Sequence, residues 1–519
     1  MSCFLGIDSG TSGIKAIVLS ETGQILGEGY TECDLITPKP GWVEQEPDKW
    51  WEACCSAVKL AVANSGRGVD VVGVGLSGQM QGATVVDKEM RPVGACLIWL
   101  DQRSAAEAEE LNTRMDVKEM LGITATYCLP SYWASKLLWL QRNRPEDYER
   151  IYKVMFTKDF LRYKMTGEIA TEASDASLSF LLDMNTRQWS DRMLEVTGIS
   201  RDILPERVYE SPDVAGYLRA DIAAEWGVKA GIPVAAGGGD QPAGGVGNGI
   251  IETGVISSVI GTSGVVFGCC DVPFVDEQRR AMYSLCHSVP GKYSFLGCTL
   301  GAGGSFKWLR DTVFEDRKAA LAQRGEDVYD HMASLAAKAP VGSEGLCFLP
   351  YLNGESTPHV DPDARGVFFG LSYRHGIGSV CRSVMEGVTF SLRDTIEIMR
   401  EFGLTINEVR AMGGGAKSPL WRQIQADIYN AEVVTMNMEE GPAAGGAIMG
   451  AVAAKHFASV EEGCKAILKK KSITEPIPEN VEMYNEYYAT YRALYPALKK
   501  CYATQAKIVE KHMEAYGND

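Results

Sequence analysis

The residues near the start of the chain that could do chemistry are one carboxylate, Asp8, and the small-residue run Ser9-Gly-Thr-Ser-Gly13 that follows it. Glycine lets backbone N–H groups come close to an anion and adopt positive φ without steric cost, and the hydroxyls of Thr11 and Ser12 add donors. A carboxylate beside such a cradle would repel a phosphate unless a cation lay between them, so the pattern points to phosphate bound with Mg²⁺. A surface hairpin with a capping Asp explains the same residues equally well while the stretch is taken alone. A second acid, Asp240, directly follows Gly237-Gly-Gly239 at the end of the apolar run Pro233-Val-Ala-Ala236. Three glycines clear side chains from around a carboxylate, which is how a general base for an alcohol would be presented. An N-cap for a helix from Pro242 onward is the other reading, and one Asp can serve both. Gln79, Gln81, Asp101 and Arg103 follow apolar runs, at the strand ends where open α/β sheets collect ligands. For the last two, a local ion pair at a helix start is nearly as good a reading.

Such residues need elements to hold them. Residues 3–7 and 14–19 have the bulky, β-branched composition of strands, so the spacing predicts a hairpin turning at 9–13. Residues 255–267 repeat the design, with Gly261-Thr-Ser-Gly264 in the place of Gly10-Thr-Ser-Gly13. Two more pairs keep the order: 233–240 with 409–416, each breaking into three glycines, and 242–247 with 442–447, small-residue helices able to cross at close range. With 55 glycines, single matches are cheap, and the preserved order carries the duplication. Two related halves facing one another are expected. Only the first hairpin has an Asp before its turn, as expected if one half holds the metal and the other mainly the nucleotide.

Further strands are predicted at 25–30, 71–76, 83–86 and 96–99, and a helix at 47–64 with Pro47 as its first residue and Trp50, Trp51, Cys54, Val58 and Leu60 on helical spacing. Residues 105–230 read as helical with polar punctuation, and 301–308 open a helix whose first N–H groups are free to meet a phosphate. Later helices are predicted at 379–400, 421–430 and 443–455, and the Tyr-rich tail 479–514 reads as a closing helix pair. At 519 residues the chain is too long for one ordinary domain, and the boundary is expected near 247–252, giving domains 1–249 and 250–519.

A net charge of −16, with no Lys/Arg block except Lys469-Lys470-Lys471, argues against nucleic acid; that run reads as a helix-end or turn feature. Fourteen cysteines without a Cys-x-x-Cys motif read as reduced core residues, and no apolar run reaches membrane-span length, so a cytoplasmic protein without a membrane partner is expected. Six scattered histidines show no zinc spacing. Neither a Walker loop nor a credible Gly-x-Gly-x-x-Gly junction occurs.

Taken together, these stretches resemble the FGGY carbohydrate kinases of the sugar kinase, actin and heat-shock chaperone superfamily, most closely the xylulokinases. The resemblance spans essentially the whole chain. It rests on Gly6-Ile-Asp-Ser-Gly-Thr-Ser-Gly-Ile-Lys15, Gly75-Leu-Ser-Gly-Gln-Met-Gln-Gly82, Trp99-Leu-Asp-Gln-Arg103, Lys136-Leu-Leu-Trp-Leu140, Lys158-Asp-Phe-Leu161 with Met165-Thr-Gly167, Gly237-Gly-Gly-Asp240, Gly261-Thr-Ser-Gly264 and Gly413-Gly-Gly-Ala-Lys-Ser-Pro419. It implies an α/β fold of two ribonuclease-H-like domains of the actin-like ATPase superfamily, with the active site in the interdomain cleft. The first domain would carry sugar and base, the second the nucleotide. It implies ATP as phosphoryl donor, Mg²⁺ held at Asp8 directly or through water, a ketopentose acceptor with D-xylulose first, and a homodimer. Asp240 would deprotonate the sugar hydroxyl, and Gln79, Met80, Gln81, Trp99, Asp101, Arg103 and Gln241 would contact the sugar. Gly10, Thr11, Ser12 and Lys15 would attend the phosphates, while Gly261, Thr262, Ser263, Gly303, Lys307, Gly414, Gly415 and Ser418 would line the nucleotide.

Departures from that pattern bear on the sugar. Gln81 stands where xylulokinases commonly have His, Gln241 where they have Asn, Trp133 where a small residue or Pro is expected, and Ser379 where a polar amide, acid or His is usual. Another pentulose or polyol is thus an alternative acceptor. A nucleotide-switched binding protein without sugar chemistry is the alternative of a different class, and Asp240 argues against it, since a switch needs no alcohol-activating base. Half of the phosphate cradle in each domain also predicts closure on the substrates, with 247–252 and 439–446 as glycine-rich linkers.

Overall fold

The bulky runs at the start of the chain form the expected hairpin: Cys3–Ser9 and Gly13–Ser20 pair antiparallel with Asp8 opposite Lys15, and Ile25–Glu32 adds a third antiparallel strand. The computed structural model describes residues 2–277 and 279–512. Val71–Gly78 lies parallel to Cys3–Ser9 on its other side, followed by Pro233–Ala235 and the edge strand Val214–Tyr217, while Gly238–Gly239 pairs with the end of Val71–Gly78. The second sheet repeats the plan, in the order Tyr283–Cys286, Tyr293–Thr299, Gly264–Cys270, Val255–Ile260, Glu408–Gly413, Glu432–Met436, Lys470–Thr474. Each sheet sets an antiparallel hairpin beside a parallel neighbour of its first strand, which is the duplication expected.

The topology corrects one of the sequence pairings. Glu408–Gly413 is the parallel neighbour of Val255–Ile260, so its counterpart is Val71–Gly78; Pro233–Ala235 corresponds to Glu432–Met436. The three-glycine breaks at 237–239 and 413–415 therefore end strands at different places in the two sheets. The pairing of small-residue helices holds. Asp240–Gly247 and Gly441–Ala453 cross so closely that a Cβ on Gly247 would lie 1.8 Å from the Gly441 carbonyl oxygen, and one on Gly445 would lie 1.9 Å from that of Ala243.

Gly441–Ala453 also lies against the first sheet, where Cβ atoms on Gly6 and Gly75 would meet the carbonyl oxygens of Ala443 and Gly446 at 2.0 and 1.9 Å. A helix from the second half of the chain thus seals a face of the first sheet. The linker expected at 439–446 is for the most part the start of this helix, its glycines serving close packing. On another face, Pro47–Ser65 buries Trp50, Cys54, Ala57, Val58 and Ala61 over Ile25–Glu32; Leu60, read with that stripe, is exposed.

Three predictions from periodicity need correction. Residues 105–230 also hold short strands, Lys153–Met155 paired with Thr84–Val86, Thr171–Glu172 with Val208–Tyr209, and Leu182–Asp183 with Gln188–Trp189. Two or three residues are too few to show a period. The run Lys469-Lys470-Lys471 is neither a helix end nor a turn but leads into the edge strand Lys470–Thr474. The tail is one helix, Pro478–His512, not a pair; Glu514, at the end of the predicted stretch, lies outside the described residues. The helix carries an interior proline, Pro496, which costs about 3 kcal/mol. Against this, the buried Tyr484, Tyr488, Tyr491 and Tyr495 lie on one stripe, their hydroxyls bonded to Glu386, Asp394, Tyr351 and Asp361 at 2.7, 2.6, 2.9 and 2.7 Å. Several buried rings at about 1.5–3 kcal/mol each outweigh one missing N–H.

Candidate active site

Three strand ends meet at the carboxyl edge of the first sheet. Asp8 is in register with Ser77, and Ser77 with Gly238; one step on, Ser9, Gly78 and Gly239 align. Gly10, Gln79 and Asp240 therefore leave the sheet side by side. Ser77 Oγ donates to Asp8 Oδ1 at 2.9 Å. Burial, with the negative charge of Glu440, pushes the Asp8 carboxyl up to about 6 against that hydrogen bond. Burial and then the charge of Asp8 push Asp240 up to about 7, while Gln241 donates to it from its backbone and side chain. A carboxyl titrating near neutrality suits a general base. Asp240 is the first residue of its helix, with Gly239 in the cap position, so the capping reading falls. The glycines before it also do more than clear space. A Cβ on Gly238 would meet Ser288 Oγ at 2.2 Å, and one on Gly239 would meet Met80 Sδ at 2.7 Å, so they bring those side chains up against the strand end.

The sequence-predicted sugar residues divide in two. Gln79 is buried, with Nε2 on Gln45 Oε1 at 2.7 Å and Oε1 accepting from Thr11 Oγ1 at 3.4 Å. Trp99 Nε1 also donates to Thr11 Oγ1, at 2.8 Å, and the residue is 42% exposed. Thr11, expected at the phosphates, is thus tied to the Gln79 and Trp99 side. Gln81 has φ of 69°, a left-handed conformation strained for a residue with a side chain. Asp101 and Arg103, in contrast, bury their side chains fully against each other, Arg103 Nη2 lying 2.7 Å from both Asp101 Oδ2 and Glu44 Oε1, with Trp42 stacked 3.9 Å from the guanidinium. The ion-pair reading is the one the structure holds, and neither residue offers a face to a sugar. Lys15 pairs with Glu28 at 2.8 Å and Glu440 at 3.3 Å, and Ser12 is exposed at the turn.

In the second half a cavity of about 650 Å³ is lined by Gly261, Thr262, Gly303, Lys307, Gly414, Gly415 and Ser418. That volume lies within the range of small-ligand sites. Of the residues expected at the nucleotide, Ser263 does not line it, nor do Gly10, Thr11, Ser12 and Lys15 of the first hairpin. The helix Gly303–Val313 does not offer its first donors to a phosphate as predicted. Gly303 and Gly304 N–H donate to the carbonyls of Gly261 and Thr262 at 2.7 and 2.9 Å, so the helix start clamps the second hairpin turn.

Two family domains account for most of the chain. The N-terminal domain of the FGGY family of carbohydrate kinases matches residues 3–247 and its C-terminal domain residues 256–454. The chain belongs to the FGGY family of carbohydrate kinases. It is an ATP-dependent sugar kinase. It is 36% identical over 496 residues to the xylulose kinase of Escherichia coli K12, covering 95% of this chain and 99% of that one. A Brucella ovis structure described as a xyloylose kinase superposes with TM-score 0.87 at 33% identity, over 96% of this chain and 100% of the other. A gluconate kinase from Lactobacillus acidophilus has the same fold, with TM-score 0.87 at 22% identity over 97% and 99% of the two chains.

Some residues of this FGGY kinase that shape the site carry no chemical signature in sequence. Lys136 is fully buried and its ammonium donates to the carbonyls of Gln81, Leu97 and Ile98 at 2.9, 2.9 and 3.0 Å, pinning the strained loop. Burial pulls it down to about 7, while three acceptors can all be met only by the protonated form. Trp133 Nε1 donates to the Gly82 carbonyl at 2.8 Å from a ring stacked on Phe156, which is why a large residue fits at that position. Glu440 joins the first hairpin through Lys15 although it lies in the second half of the sequence. Phe306, Tyr329, Met385 and Trp421 give the cavity of about 650 Å³ its apolar walls. Their helical spacing reads as core, and nothing in the sequence separates a ring facing a cavity from a ring facing a neighbour.

Proposed function

We propose that this FGGY kinase transfers the γ-phosphoryl group of ATP to a primary hydroxyl of a ketopentose, D-xylulose first, giving D-xylulose 5-phosphate. The observation that carries the site assignment is Asp240, a carboxyl raised to about 7 where three strand ends meet beside Asp8. As general base it would take the hydroxyl proton as the oxygen attacks the γ-phosphorus. Gln79, Met80, Gln81, Trp99 and Gln241 would contact the sugar, Gly10 and Ser12 would attend the phosphates, and the cavity around Gly303, Gly415 and Ser418 would hold the nucleotide. Residues 1–249 would thus be the sugar and base domain, and 250–519 the nucleotide domain. Similarity to proteins named xylulose kinase supports D-xylulose; the fold shared with a gluconate kinase does not choose among sugars.

The residues present fit Mg²⁺. Asp8 feels the charge of Glu440 and acts in turn on Asp240, Lys15 pairs with Glu440, and one Asp8 oxygen is taken by Ser77. Mg²⁺ is commonly bound by one or two carboxylates with water and phosphate oxygens completing its shell, so Asp8 would hold it. When bound it would neutralise charge on the phosphates. A homodimer and a cytoplasmic location complete the proposal. The dimer rests on the resemblance alone, and the location on use of ATP and on cysteines that are mostly buried; among the described residues no helix is long and apolar enough to cross a membrane.

The test is ADP release with D-xylulose, D-ribulose, L-xylulose and erythritol, with the product located by phosphorus NMR. D-Xylulose should give the largest kcat/KM, with phosphate on the terminal carbon. A higher kcat/KM for another acceptor would replace D-xylulose, and no sugar-dependent release with any pentulose or polyol would remove this acceptor class.

A further inference from the structure

A second large cavity, of about 760 Å³, lies beyond the Gly413–Gly414 turn from the nucleotide cavity, and the two share Gly414 and Lys417 in their walls. None of Gly10, Thr11, Ser12 and Lys15, expected at the phosphates of ATP, lines it, and of the residues expected along the nucleotide only Gly414, in the shared wall, does. Three cations do, Lys417, Arg422 and Lys471, against one carboxylate, Glu439. In a chain of net charge −16 this is a local reversal of sign. None of the three forms an ion pair among the described residues. Arg422 is fixed by Nη1 donating to the carbonyls of Ala416 and Lys417 at 2.5 and 3.3 Å, and its Nε is buried without a hydrogen-bond partner.

Lys471 reaches the cavity through a defect in strand pairing. Thr435 pairs with Ser472 and Met436 with Lys470, so Lys471 is the extra residue of a β-bulge. Bulges turn a side chain out of the regular alternation and occur beside functional sites. Thr435 and Ser472, joined by a 2.6 Å hydroxyl bond, add donors on the same wall, while Met412, Met436 and Met438 supply an apolar floor. A lysine run on an edge strand also guards against strand addition. That role needs neither a bulge nor a cavity.

We propose that this cavity is a second anion site, taking a small phosphate-bearing molecule that is not the substrate nucleotide. Guanidinium and ammonium groups beside hydroxyls recognise phosphate oxygens, and the volume accommodates a pentose phosphate or a short polyphosphate. Because Lys417 lines both cavities, an occupant here would act on the nucleotide through the helix Gly414–Lys417.

The experiment is calorimetric titration of the full chain saturated with ADP, which fills the nucleotide cavity, with pyrophosphate and in parallel with D-xylulose 5-phosphate. At least one should bind, and Lys471→Glu should weaken it by about tenfold or more while leaving kcat and KM for sugar and ATP unchanged in its absence. Lys471→Ala, which keeps the edge strand neutral, should weaken it in the same direction by less. Binding of pyrophosphate alone would assign the site to inorganic polyphosphate, and binding of the sugar ester alone to a phosphorylated sugar. No binding of either, or equal affinity in wild type and both variants, overturns the proposal. Because the readout is binding to ADP-loaded protein, it stands or falls apart from the identity of the sugar acceptor.

Discussion

Asp240 and Asp8 are two carboxyls raised above solution values by burial, with the charge of Asp8 acting on Asp240 and that of Glu440 on Asp8. Asp240 must be ionised to accept a proton, so kcat/KM for the sugar should rise through a limb near pH 7 and level off above it. A flat profile from pH 5.5 to 8 would remove it as base. The same shift has a stability sign. The folded state holds the Asp240 proton up to about pH 7 whereas the unfolded chain releases it near 3.8, so folding is weakened as pH rises between those values and the full loss remains above 7. Asp240→Asn should therefore raise Tm at pH 8, with the gain vanishing near pH 4; equal Tm at both would mean the carboxyl is not strained in the fold. For Asp8→Ala, the Mg²⁺ concentration supporting half-maximal rate should rise and kcat fall, while sugar affinity by calorimetry stays within about threefold. An unchanged Mg²⁺ dependence would contradict its role. At this scale the acids were legible because each sits where an apolar strand gives way to glycine, Asp8 just before the turn and Asp240 just after three glycines. Asp101 and Arg103 were misread because a sequence shows that opposite charges are close, not whether they turn to a ligand or to each other.

At the scale of elements, the site depends on a loop, 79–82, that would not hold its shape alone. Its strain at Gln81 is stabilised by Lys136 and Trp133, both on the helix Trp133–Asn143. Lys136→Met keeps the length of the side chain but leaves the buried Gln81 carbonyl without its donor, at a cost of about 1–3 kcal/mol, while the carbonyls of Leu97 and Ile98 lose one donor each and keep the N–H of Ala83 and Asp101. We expect a lower Tm and a KM for sugar raised about tenfold or more, with nucleotide affinity unchanged. Loss of nucleotide affinity in equal measure would mean that Lys136 supports the whole fold rather than this loop. The hairpins, the long helices and the crossing of small-residue helices were legible because each has a period or a repeated glycine pattern. Short strands such as Thr171–Glu172 were not, since their partners lie far off in sequence, and the helix pair expected in the tail gave way to one helix whose tyrosine stripe packs on residues distant in sequence.

At the scale of the molecule, the candidate sugar residues and the candidate nucleotide cavity belong to different halves, and two helices in close contact, Asp240–Gly247 and Gly441–Ala453, join them. Lys15 and Glu440 tie the first hairpin to the start of the second of these helices. We propose that productive geometry requires the halves to approach, expelling water that would compete with the sugar hydroxyl. X-ray scattering with sugar plus a non-hydrolysable nucleotide should give a smaller radius of gyration than the free protein, and ATP hydrolysis without sugar should be slow. Identical profiles with fast sugar-independent hydrolysis would favour a nucleotide switch instead. The central claim, that this FGGY kinase uses Asp240 to activate a pentulose hydroxyl, is tested most directly by phosphoryl transfer from ATP to D-xylulose in Asp240→Asn beside wild type, with nucleotide affinity measured on both. Turnover should fall by about 10² or more with nucleotide affinity retained; near-wild-type turnover in a variant that binds nucleotide normally would contradict the assignment.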